Sequence, residues 1–107
     1  MNNQLPEITV NTFNILCRIN DIMREIICLK NENRSFSQRI NHLLQKRSEY
    51  IKVIKNNKDI KDILREYNEK IDSNINREIF LTKLQKYNSK LILQHRNEIQ
   101  QLRKGLV

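Results

Sequence analysis

The sequence predicts an all-α protein, a long antiparallel helical hairpin of coiled-coil type. Three observations predict it. The 107 residues hold one glycine, Gly105, and one proline, Pro6, so turns are few and the elements must be long. Apolar residues recur at alternating steps of three and four, with no alternation by two. One asparagine-bearing segment near the middle, "IKNNKDIKD", supplies a turn.

The first helix is expected over residues 7–55. Steps of seven from Ile8 give Ile15, Ile22, Leu29, Phe36, Leu43 and Tyr50. Steps of seven from Leu5 give Thr12, Ile19, Ile26, Asn33, Ile40, Arg47 and Ile54. The two series are offset by three residues, as are the a and d positions of a heptad. The hairpin seam is therefore read as Ile8, Ile15, Ile19, Ile22, Ile26, Leu29, Phe36, Ile40, Leu43, Tyr50 and Ile54. Leu16, Met23, Leu44 and Ile51 fall at e and widen it. Asn33 and Arg47 are polar a residues, a device that sets register and partner choice at a cost in stability. The competing expectation is a kink near 31–36, where Ser35 and Gln38 have capping-box spacing.

The turn is expected at 56–58, because Asn56 and Asn57 tolerate turn conformations. The second helix is expected over 59–104, with Asp59 as N-cap. Ile60, Ile63, Leu64, Tyr67, Ile71 and Ile75 keep helical spacing, and Glu66–Lys70 and Arg65–Glu69 are spaced to pair. Residues 72–76 have poor helix propensity and offer a second kink. Phe80, Leu84, Tyr87 and Leu91 then form a four-three-four series. His95, Ile99, Leu102 and Leu106 follow after a stutter, and Gly105 reads as the C-terminal cap. Folding about residue 57 sets Cys28 beside Lys86 and Ile15 beside Ile99. The whole chain, 1–107, is read as a single coiled-coil domain. If both kinks fold the arms back, the alternative is a four-helix bundle.

Charge and chemistry narrow the function classes. Lys and Arg number twenty against twelve acids, for a net charge of +8. Such a balance attracts acidic partners at long range. A lone glycine excludes phosphate-cradling loops. His42 and His95 stand far from Cys17 and Cys28, so no metal site and no cofactor are expected. No pocket-forming fold supports paired carboxylates or a nucleophile, so the chain reads as a non-enzyme. The two cysteines make no disulfide framework. No leader is read at the N-terminus, and Arg18, Asp21, Arg24 and Glu25 break the most apolar segment, so no membrane span is expected. An intracellular location follows, nuclear over cytoplasmic on the basic charge. Lys83, Lys86, Lys90 and Arg96 make a possible anion-binding stretch, though the stacking aromatics that nucleic-acid binding favours are wanting.

The segment "NTFNILCRINDIMREIICLK" carries more apolar residues than one seam uses. Phe13 and Ile27 fall at b, Cys17 at f and Cys28 at c. With Phe80, Leu81, Ile92 and Leu93 they are read as a back surface for partner helices. The expected function is thus a structural subunit of a multi-protein helical complex, a hetro-oligomer in preference to a homodimer. In general character the chain is similar to small coiled-coil subunits of kinetochore and spindle, Mediator or vesicle-tethering complexes, and its charge favours chromosomes, spindle or transcription. The alternative is a basic, homodimeric nucleic-acid-binding or regulatory protein.

Overall fold

The computed structural model describes residues 5–106, with side chains from Val10 to Leu106. The chain is an all-α helical hairpin made of α1 (Leu5–Asn56) and α2 (Lys61–Lys104). Among the described residues there is no strand. Both helices run unbroken through 31–36 and 72–76, so the four-helix alternative is not adopted. Ser35 and Gln38 lie in mid-helix, where their main-chain groups are already bonded and a capping box has no role.

The connection falls later than expected. Asn57 donates from Nδ2 to the Val53 carbonyl (2.8 Å) and from its N–H to Ile54 (3.2 Å). The Ile60 N–H donates to the Asn57 carbonyl (3.1 Å), and the Leu64 N–H to the Ile60 carbonyl (3.1 Å). Ile60, not Asp59, therefore supplies the first carbonyl of α2 and stands at the N-cap position. At the far end, the Gly105 N–H donates to Leu102 (3.0 Å) and the Leu106 N–H to Arg103 (3.0 Å). Gly105 has no positive φ, so it is not a left-handed cap. Its merit is space: a Cβ there would lie 3.3 Å from the Leu102 carbonyl and 3.4 Å from Ile15 Cδ1.

The helices pack in two compact units. In the first, α1 as far as Glu32 lies against α2 from Tyr87 onward. Its core is Ile19, Ile22, Ile26, Ile92 and Ile99, with Ile15, Leu29 and Leu102 packed against it. Ile22 is fully buried, which contributes roughly 2–3 kcal/mol. Arg18 pairs with Glu98 at 2.9 Å, His95 with Glu25 at 3.1 Å, and Asn88 donates to Glu32 at 2.8 Å. The last two pairs are both centred on residue 60, so the register differs from a fold about residue 57. Cys28 accordingly lies with Leu91 and His95 instead of Lys86, and Ile15 reaches Gly105, beyond Ile99. The later turn carries the whole of α2 along with it.

The second unit is Asn33–Lys86. Leu81 is its most buried apolar residue, and Phe36, Ile40, Leu43, Tyr50, Ile54, Leu64, Tyr67 and Ile71 are half-buried. Tyr50 and Tyr67 meet edge to face, with ring centroids 5.6 Å apart, and Lys70 Nζ sits 4.6 Å from the Tyr67 centroid. Glu66 holds Lys70 at 3.4 Å as its spacing predicts, whereas Arg65 turns to Asp62 (3.8 Å) and not to Glu69.

Burial on α1 follows the heptad frame. Every a and d position from Thr12 to Ile54 is buried or half-buried. Ile8 lies outside the residues whose side chains are described. On α2 the buried line differs from the apolar one. It runs through Leu64, Ile71, Glu78, Gln85, Ile92 and Ile99, and through Tyr67, Asn74, Leu81, Asn88, His95 and Leu102. These are a′ and d′ positions in one phase with no stutter. The series Phe80–Leu84–Tyr87–Leu91 lies off that line: Phe80 and Tyr87 are exposed, and Leu84 and Leu91 only half-buried.

Candidate functional site

The seam of α2 contains polar residues because α1 answers them. Asn33 and Arg47, both polar a residues, meet polar groups on α2. Arg47 Nη1 donates to Glu78 Oε2 at 2.7 Å. Gln85 Nε2 donates to the Asn33 carbonyl (2.9 Å) and to Ser37 Oγ (2.6 Å), while Asn33 Nδ2 reaches the Gln85 carbonyl at 3.4 Å. Asn74 Nδ2 makes a long contact of 3.5 Å to the Leu43 carbonyl. Buried polar groups are tolerable when so matched, and they penalise any other register, in which they would be stranded. Glu78 is matched only in part, since Oε1 is buried without a partner in the described structure.

Apolar residues in excess of those the seam uses are left outside. In the first unit, Phe13, Leu16, Met23 and Ile27 are all exposed. Their three-seven-four spacing skips only Asn20, so they form a continuous stripe at b and e. Met23 and Ile27 line a groove whose floor includes Ile26 and Ile99 and whose far wall is Arg96, Gln100 and Arg103, with Lys30 at one end. Cys28 opens instead into a groove with Arg24, Glu25, Leu29, Leu91 and His95. Adjacent residues thus serve opposite flanks of this unit, and Ile27 and Cys28 do not share one back face. Cys17 and Leu93 are exposed and line neither groove. Ile92 is buried in the core, because the d′–a′ phase turns it inward.

In the second unit, Phe80, Leu81 and Leu84 line a groove with Leu43, Gln38, Arg39, His42 and Arg77. Phe80 is 61 % exposed, but Leu81 is 4 % exposed and belongs to the seam. Leu81 and Ile92 are therefore removed from the expected partner-binding set. They were adjacent to exposed residues in sequence, and a helix turns about 100° per residue, enough to send neighbours to different faces.

Lys83 and Lys86 line a groove that also holds Arg47 and Glu78, Arg96 lines the Met23–Ile27 groove, and Lys90 is exposed. Among the described residues, no helix is long and apolar enough to cross a membrane.

Sequence reasoning missed Lys30, Arg103, Arg39 and Arg77 as neighbours of apolar grooves. The signal was available: carrying the heptad phase of Leu64 and Tyr67 through the polar residues sets Arg96 and Arg103 at e′, the positions that face e residues such as Met23 and Lys30 in an antiparallel pair. The chain matches no protein-family model, no curated protein and no solved structure.

Proposed function

We propose that this chain is a non-catalytic coiled-coil subunit of a multi-protein intracellular complex, and that it docks helices of other subunits against its second apolar faces. One observation carries this reading. Asn74, Glu78 and Asn88 are buried while Ile27, Phe80, Tyr87 and Leu93 are exposed. A helix hairpin with no further partner would gain by the opposite arrangement. The sequence is therefore fitted to two contacts, one within the hairpin and one outside it. The basic balance favours a nuclear assembly, of chromosomes, spindle or transcription, over a vesicle-tethering one. Binding of nucleic acid is less well supported, because a phosphate backbone would leave Ile27, Phe80, Tyr87 and Leu93 wet. The test is quantitative affinity purification of the tagged chain from its native source, beside Ile27→Asp and Phe80→Asp variants. Near-stoichiometric partners lost in the variants support the reading. Partners retained by both variants oppose it.

A further inference from the structure

The groove on the first unit is charged in one sense only. Its floor is Ile26 and Ile99, one wall is Met23 and Ile27, and its rim carries Lys30, Arg96 and Arg103. None of the three cations pairs with an acid among the described residues. From Phe13 onward, the b and e positions of α1 in this unit and those facing them on α2 contain no acid. An apolar floor between unpaired cations is complementary to an amphipathic helix whose polar face is acidic.

Resting on the docking role above, we propose that this groove binds an acidic amphipathic helix of another protein. A second copy of the chain fits poorly. A twofold interface would set the same cation-rimmed patch against itself, between chains that each carry +8. A nucleic-acid backbone would satisfy the cations but leave Met23 and Ile27 wet.

Two synthetic helical peptides test the proposal. Both have roughly five turns and the same Leu/Ile stripe at three-four spacing; one has a Glu polar face and the other a Lys polar face. Fluorescence anisotropy against the full chain measures binding. The acidic peptide is expected to bind at least about tenfold more tightly, with the difference shrinking as salt is raised. Combined Lys30→Gln, Arg96→Gln and Arg103→Gln is expected to abolish that difference. Ile27→Asp is expected to weaken the acidic peptide about tenfold or more with helicity unchanged, and Phe80→Asp to leave it unaffected.

Binding of the two peptides within about twofold of each other overturns the proposal. So does a dimer by sedimentation that Ile27→Asp dissociates, or tighter binding of a short DNA duplex at the same rim cations. If the peptides bind equally while Ile27→Asp still loses native partners, the acidic specificity fails and the docking reading stands. If the native partners survive Ile27→Asp, the docking reading itself fails at this face.

Discussion

Arg47 and Glu78 meet at 2.7 Å in the seam between α1 and α2, with the Glu78 side chain 12 % exposed and Arg47 30 % exposed. The pair occupies a and a′ positions, where aliphatic residues would pack more favourably. Breaking it and replacing it have opposite consequences. Arg47→Ala strands a buried carboxylate and is expected to cost about 1–3 kcal/mol, discounted for the partial exposure of Arg47. Arg47→Met with Glu78→Leu is expected to match or exceed the parent stability. Urea unfolding followed by circular dichroism measures both. A neutral Arg47→Ala would show that the pair has no structural role.

The same logic applies to Asn33 and Gln85, which exchange hydrogen bonds across the seam. Asn33→Leu alone removes the Nδ2 donor to the Gln85 carbonyl but keeps the main-chain carbonyl that accepts from Gln85 Nε2, and sets an aliphatic side chain against the Gln85 amide, so it is expected to gain little or lose stability. Asn33→Leu with Gln85→Leu is expected to raise the unfolding midpoint while relaxing register. In a Cys28→Ser background, spin labels at Cys17 and at a cysteine replacing Glu98 report that register. A single sharp distance in the double variant contradicts the register role.

Core and surface substitutions should separate cleanly. Ile22→Ala, at a fully buried position, is expected to cost about 2–4 kcal/mol. Phe13→Ala removes a larger side chain at an exposed position and is expected to change stability by less than about 0.5 kcal/mol. Thermal unfolding of the isolated chain reads both, and comparable losses would contradict the division of faces.

The α1 seam was legible because its a and d residues are mostly apolar, so period and burial coincide. On α2 they diverge. Following the apolar residues leads from Leu84 to Phe80 and Tyr87, which are exposed, and invents a stutter before His95. Following a constant phase leads through Asn74, Glu78, Gln85 and Asn88, which look like surface residues until Arg47, Asn33 and Glu32 are seen opposite. Partner chemistry across the seam is not written in the local sequence of either helix. The turn shows the same limit on a smaller scale: Asp59 has the better capping side chain, but the first helical bond of α2 runs from the Leu64 N–H to the Ile60 carbonyl, which places the helix start one residue later. Of the proposed docking residues, Phe13, Ile27 and Phe80 could be found from excess apolarity, whereas the cations beside them required the register.

Ile26 and Ile27 give the most direct test of the central claim, that one face of α1 closes the hairpin and another receives a partner. They are consecutive and chemically identical, yet Ile26 is 7 % exposed and Ile27 is 55 % exposed. The measurement is helicity and native-partner recovery for Ile26→Asp and Ile27→Asp side by side. Ile26→Asp is expected to lose helicity and partners together, whereas Ile27→Asp is expected to keep parental helicity and lose partners. Equal unfolding in both, or full partner recovery with Ile27→Asp, would contradict it.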